Sequence, residues 1–275
     1  MEIFNLHNRV IDDYRSYIES FGNIADEDQF MTESAIIVEI KRRAEQGRTR
    51  PFLCRGDDDK WYWVKGNGAG KAALCREWIA GRIAQAFGLP IPRFVQAEIP
   101  RELVEFSAVD GVQDLGAGMA FGSEHVDGAD DLNYSEIGDV PEDVRRKTLV
   151  FDWWVQNEDR ILGENGGNVN VLRVATSQSV FVIDHNLAFD ATFDAARWRS
   201  DHVFRTELDT WPDGFGVALE PDMRDIGSRL DAFWAELPDE WIETATLLPE
   251  VSLARLHAVL GRFRAADSLF GMVTR

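Results

Sequence analysis

A chain of 275 residues that is 45% hydrophobic can bury a sizeable core, as one large domain or as two lobes. Its 29 Lys and Arg against 48 Asp and Glu give a net charge of −19, which disfavours a duplex-wrapping protein and any general attraction to anionic membranes. The only cysteines, Cys54 and Cys75, form no C-x-x-C and there is no paired-histidine spacing, so two buried thiols are expected and not zinc or a disulfide framework. With no apolar run long enough to cross a bilayer and no signal-peptide core, a cytoplasmic protein is expected.

In chain order, "HNRVIDDYRSYIESFG" (7–22) places Val10, Ile11, Tyr14, Ile18 and Phe21 at helical spacing, and Gly22 stops the run. "TESAIIVEIKRRAEQG" (32–47) predicts a second helix, with Thr32 or Ser34 as cap and Gly47 at its end. "PFLCR", the acidic turn "GDDD" and "KWYWVK" predict a hairpin. "AALCREWIAGRIAQAFG" predicts a helix with Leu74, Trp78, Ile79, Ile83 and Phe87 on one side and Gly88 past its end. "LPIPRFVQAEIP" reads as extended, because its prolines disfavour helix.

Residues 108–143, rich in Gly, Asp and Ser, read as a linker with loops. "DVRRKTLVFDWWVQN" is a strong helix, "EDRILGENGG" a polar loop and "VNVLRVATSQSVFVID" a second hairpin. The remainder is mostly helical, with Leu253, Leu256, Leu260 and Phe263 at spacings of three and four. A small β-containing lobe, a linker and a larger helical lobe fit this order, and the nine tryptophans read as core.

"WYWVKGNGAGK" looks like a nucleotide loop and is not one. A P-loop needs Ser or Thr after Gly-Lys, where this chain has Ala72, and the dinucleotide fingerprint fails at Lys71. The sharper constellation is "NEDRILGENGGNVNVLRVATSQSVFVIDHNLAFD". Hairpin pairing would bring Asn170 and Asp184 to the same end of two strands, both facing Asp159 in the preceding polar loop. Asp184 and an asparagine supply hard oxygen ligands for Mg²⁺ bridging ATP phosphates, and Asp159 can accept the proton of an attacking hydroxyl. Arg160 would neutralise the loop or a phosphate, and His185 is expected to pack or hydrogen-bond beneath the metal site. Lys65, ending a strand, with Glu77 on the following helix, is the pair with which kinases grip the α- and β-phosphates. "GNGAGK" is then a strand-to-helix connection. The phosphate-covering turn falls in "GRTRPF" (47–52), where backbone amides, Arg48, Thr49 and Arg50 can reach an anion.

Five stretches in order, "TRPFLCR", "YWVKG", "LCREWIAGRIAQAFGLPIP", "GMAFGS" and "NEDR…NVNVL…VIDHNLAF", resemble the HipA-like kinases, especially the shorter single-module branch, over about residues 35–250. The last stretch is also similar to the catalytic segment of type II phosphatidylinositol 4-kinases. The resemblance implies an α+β, bilobed protein-kinase-like fold with a small β-containing N-lobe (31–122) and a mainly helical C-lobe (123–275). It implies ATP and Mg²⁺ as cofactors, Lys65 on the ATP phosphates with Glu77 as its ion partner, Asp159 as base, and Asn170 and Asp184 as metal ligands. The loop departs from the compact D-x-x-x-x-N pattern: Glu164 holds the fifth position, and "ILGENGG" reads as an insertion. Asn165, Asn168 and Asn170 therefore compete for the metal, with Asn170 first because it directly precedes the strand, and Asn168 second.

The acceptor implied is a Ser or Thr hydroxyl of a protein, in a toxin–antitoxin or phage-defence setting with an antitoxin or companion protein as partner. No direct nucleic-acid or membrane partner is expected. A lipid or small-molecule kinase and a nucleotide-binding pseudokinase acting through a partner are the alternatives. Residues 1–30 lie outside the resemblance, as an N-terminal extension or docking segment, in cis or in trans.

Overall fold

The computed structural model describes residues 33–45, 49–162, 167–211, 215–245 and 251–264. The helix expected over 7–22 and the N-terminal segment lie outside them.

The first described element corrects the sequence reading. Ser34–Arg43 is strand β1, not a helix. Four β-branched residues, Ile36, Ile37, Val38 and Ile40, favour a pleated surface over a helix, and Ala35 and Ile37 point into a buried interior. β2 (Phe52–Gly56) and β3 (Trp61–Lys65) form the expected hairpin around the acidic turn. Helix α1 (Lys71–Ala86) follows, then β4 (Phe94–Ile99) and the short helix α2 (Arg101–Glu105).

A second correction lies in the supposed linker. Gly118–Glu124 is strand β5 and Ala129–Asp131 is β6. β5 pairs antiparallel with both β3 and β4, and β4 runs parallel to β1, so the strands close a barrel in the order β1-β2-β3-β5-β4. Closure leaves the small sheet without a free edge. Glycines disguised β5 as loop. A Cβ on Gly122 would stand 3.2 Å from Val95 Cγ2 and 3.4 Å from Ala97 Cβ, so close strand packing selects glycine there.

The larger lobe begins with α3 (Glu142–Trp154), followed by the hairpin β7 (Val171–Val174) and β8 (Ser179–Val182), to which β6 adds a third strand. Helices α4 (Ala195–Asp201), α5 (Phe215–Ser228), α6 (Leu230–Ala235), α7 (Asp239–Ala245) and α8 (Leu253–Leu260) complete it. The architecture is thus a small β-barrel lobe and a mainly helical lobe, the α+β bilobed arrangement expected.

Two cores hold it. One fills the barrel with Ile37, Phe52, Cys54, Tyr62, Val64, Val95 and Ala97. The other runs without a break from α1 (Leu74, Trp78, Ile83) through Phe94 and Phe121 into Leu149, Phe151 and Trp154. Helix α1 belongs to the first lobe by sequence but packs with the second. Cys54 and Cys75 are free and buried, and burial pushes both thiols up to about 12. Trp78, Trp153, Trp154, Trp198 and Trp241 are buried as expected. Trp61 and Trp63 depart from that expectation: they are partly exposed outside the barrel, with Lys41 and Arg42 stacked over their rings.

Candidate active site

The glycine-rich stretch after Lys65 is a tight connection from β3 to α1. Asn67 N donates to Leu115 O at 3.0 Å, and a Cβ on Gly66 would fall 1.9 Å from that same oxygen. Gly70 starts α1 with φ +81°. These glycines serve a close backbone contact and a helix start, which sets the register between Lys65 and Glu77.

Lys65 and Glu77 meet. Lys65 Nζ donates to Glu77 Oε2 and to Asp184 Oδ1, both at 2.8 Å. Glu77 is 2% exposed, and its Oε1 accepts from the backbone N–H of His185 at 2.8 Å. One buried carboxylate therefore ties the β3 lysine to the backbone that follows β8. Burial alone would pull the Lys65 ammonium down, but the charges of Asp184 and Glu77 outweigh it and raise it. Burial pushes Glu77 up. Desolvation would raise Asp184, which is partly buried, yet Lys65 holds its carboxyl below the usual range.

The β7–β8 hairpin pairs Val171 with Val182, and Ile183 N donates to Asn170 O at 3.0 Å. Asn170 and Asp184 thus emerge side by side, both with left-handed backbone, φ +48° and +57°. Non-glycine residues rarely adopt this conformation, and it clusters at functional sites. Asn168 Nδ2 and Asn170 Nδ2 both donate to Asp159 Oδ2, at 2.6 and 3.1 Å. Donation through nitrogen leaves each amide oxygen available as a ligand. Asn170 is 7% exposed, whereas Asn168 is exposed. Burial and the charge of Asp184 raise Asp159 above the usual carboxylate range, against the opposing amide donors. Asn165 and Glu164 lie outside the described residues.

Of the two alternatives for Arg160, the structure supports the loop: the side chain is fully buried and turned inward. Its Nε donates to Asp152 Oδ2 at 2.7 Å, and its Nη1 donates to the carbonyls of Asn170 and Ile183, the latter at 3.2 Å. The guanidinium clips the two strand ends from which Asn170 and Asp184 project. Asp152 also accepts from Asn157 Nδ2 and His202 Nε2, each at 2.9 Å. His202 Nδ1 accepts from Phe204 N at 3.0 Å, so the ring is the neutral tautomer with its proton on Nε2. Burial lowers its pKa, consistent with that state. Sequence reasoning missed Asp152 and His202; the available signal was a lone carboxylate inside the apolar run "LVFDWW".

His185 packs edge-on against Phe151 and is 4% exposed. Burial, with the Arg160 charge second, pushes its imidazole from 6.5 down to about 3. It is neutral and inside the fold, as packing residues are. The unfolded chain takes up a proton below 6.5 that folded His185 refuses until about 3, so stability should fall as pH drops through that window. Thermal melts between pH 3 and 6.5 should show a shallower slope for His185→Asn than for the parent.

Among the expected phosphate-turn residues, Arg50 Nε donates to Ala44 O at 3.1 Å, and Arg50 O accepts from Arg43 Nε at 3.2 Å. Its guanidinium thereby closes the β1–β2 loop. Thr49 is partly buried, and Arg48 lies outside the described residues. A recess between the lobes is lined by Glu77, Gly81, Ile91, Phe94, Phe121 and Asp184.

Among the described residues no three His, Cys, Asp or Glu side chains gather as a protein-only metal cage. The oxygen donors instead are the Asp184 carboxylate and the asparagine amide oxygens, with the Lys65 ammonium bonded beside them to Asp184. That chemistry fits Mg²⁺, which keeps waters and is held through one or two carboxylates together with substrate phosphates.

A barrel lobe and a helical lobe are joined by a Lys–Glu–Asp bridge beside an Asp–Asn cluster, the bilobed architecture of a kinase fold. Residues 37–268 match the family model of the HipA-like kinases, and the chain belongs to that family. Among solved structures it is similar to the Helicobacter pylori proinflammatory kinase CtkA, at 12% identity, covering 89% of this chain and 98% of that one, with a TM-score of 0.43. It is also similar to the FAT and kinase domain of CtTel1, at 14% identity, covering 86% of this chain and 22% of that one, with a TM-score of 0.31. No protein of curated function matches the chain. No helix among the described residues is long and apolar enough to cross a membrane.

Proposed function

We propose that the chain is an ATP- and Mg²⁺-dependent kinase that transfers the γ-phosphoryl group to a Ser or Thr hydroxyl of a protein, in the cytoplasm. The observation that carries this reading is the Lys65 ammonium 2.8 Å from both Glu77 and Asp184. Lys65 grips the α- and β-phosphates, with Glu77 fixing its direction. Asp184 and the Asn170 oxygen hold Mg²⁺, with Asn168 the second choice, and the bound cation supplies charge neutralisation on the phosphates. Asp159 accepts the hydroxyl proton, oriented by the two amides on its Oδ2. Thr49, Arg50 and the loop amides around them cover the phosphates from the barrel side, with Arg48 as a further anion contact. The protein acceptor, a toxin–antitoxin or phage-defence role and a companion protein follow from the family alone.

Incubation with γ-labelled ATP, Mg²⁺ and a bacterial lysate should label a protein band. Asp184→Asn should abolish the labelling, because the amide loses the charge that binds Mg²⁺. Labelling of lipid vesicles but not of protein would assign a lipid kinase. ATP binding without transfer in either sample would overturn the kinase reading in favour of a pseudokinase.

A further inference from the structure

Helix α1 carries Glu77 toward Lys65, and an adjoining face of that helix is fastened to the larger lobe. Glu236, just after α6, is the fastening. Its side chain is 8% exposed. Glu236 Oε2 accepts from Trp78 Nε1 at 2.9 Å, one residue beyond Glu77, and Oε1 accepts from Arg82 Nη2 at 2.9 Å, one turn further on. Its own carbonyl accepts from Gln96 Nε2 of β4 at 2.6 Å. A few residues later Glu240 Oε1 accepts from Lys71 Nζ at the start of α1, at 3.0 Å, and from the Met119 N–H of β5, at 2.9 Å. Trp241 Nε1 donates to Met119 O at 2.8 Å. The segment 236–241 thus binds α1 at its first and middle turns and binds two barrel strands as well.

A helix held mainly by apolar packing can shift by a fraction of a turn, and phosphoryl transfer tolerates little misplacement. Fixing a second face, about 100–140° round the helix from Glu77, with a carboxylate that takes both Trp78 and Arg82 limits that freedom. We propose that Glu236 is a positioning residue for phosphoryl transfer, holding α1 so that Glu77 meets Lys65. This rests on the reading of Lys65 and Glu77 given above. Glu236 touches neither nucleotide nor acceptor in that reading, and it acts only through the helix.

The test is a double-mutant cycle on the full chain with Glu236→Gln, Glu77→Gln and both, since groups acting through one another give non-additive losses. Two readouts are followed: label transfer from γ-labelled ATP into lysate protein, and the rate at which a lysine-acylating N-hydroxysuccinimide ester modifies Lys65. The second needs no acceptor. Glu236→Gln should lower transfer about tenfold and speed Lys65 acylation, because a displaced Glu77 no longer contacts and covers the Lys65 Nζ. In the Glu77→Gln background, Glu236→Gln should change neither readout. Melting temperatures are recorded alongside, and if Glu236→Gln does not fold, Arg82→Gln removes the partner from the more exposed side. Additive losses, or parental transfer and acylation in the Glu236 variant, would overturn the brace. A Glu77→Gln enzyme with full transfer and unchanged Lys65 reactivity would instead remove the Lys65–Glu77 reading, and the brace with it.

Discussion

Asp159→Asn should lower kcat by about 10²–10⁴-fold, the usual contribution of a positioned general base, while nucleotide affinity and melting temperature stay close to the parent. The substitution is nearly isosteric. Asp159 Oδ2 accepts both amides, from Asn168 and from Asn170, and an asparagine oxygen can accept the same two bonds. What disappears is the capacity to take a proton. Asp159 is suited to that task because burial and the neighbouring Asp184 charge raise its proton affinity, and the two amide donors keep it from rising further. Steady-state transfer and ATP titration, measured on the same preparation, separate the steps. A variant that keeps kcat within tenfold of the parent would mean that another group takes the proton.

Asp152→Ala should destabilise the fold by about 3–5 kcal/mol, the range for removing one partner of a buried ion pair. Arg160 and Asp152 are both fully buried, so the truncation strands a guanidinium without its counter-charge. It also leaves His202 Nε2 and Asn157 Nδ2 without the acceptor they share. Activity should fall with stability, because Arg160 is the clip on the carbonyls of Asn170 and Ile183. The pH response follows from the same pair. Burial alone would raise Asp152, but the Arg160 charge and the His202 hydrogen bond outweigh it and hold the carboxyl well below the usual range. A carboxyl lowered on folding contributes stability above its unfolded pKa, near 3.8, and that contribution is lost as pH falls through the folded value. Denaturant melts of parent and variant check the first claim, and their convergence at low pH checks the second. A variant within 1 kcal/mol of the parent would refute both.

The residues most legible in the sequence were those whose chemistry depends on order along the chain. Lys65 at the end of a strand, Glu77 in the next helix, and Asp159, Asn170 and Asp184 around one hairpin can be named from spacing, because hairpin register and helix period convert spacing into position. Arg160 was visible but left between loop and phosphate, since nothing local reveals that a loop arginine turns inward toward an aspartate in the preceding helix. Strand β1 was misread because cap and stop residues around "SAIIVEIKRR" imitate helix ends, and its β-branched content decides the matter only once β2 and β4 flank it. Strand β5 was hidden by glycines that exist for the sake of Val95 and Ala97. Glu236 carried no signal, because its partners Trp78, Arg82 and Gln96 lie in elements far away in the sequence.

The separation between Glu77 and Glu236 has a consequence for synthesis. The barrel strands, Lys65 and helix α1 leave the ribosome long before the segment 236–241 exists, and the core of α1 is shared with helices made later still. A nascent or truncated chain can therefore carry Lys65 and Glu77 without the segment that fastens α1. In such an order of assembly the contacts that fix α1 on its second face wait until segment 236–241 has been made.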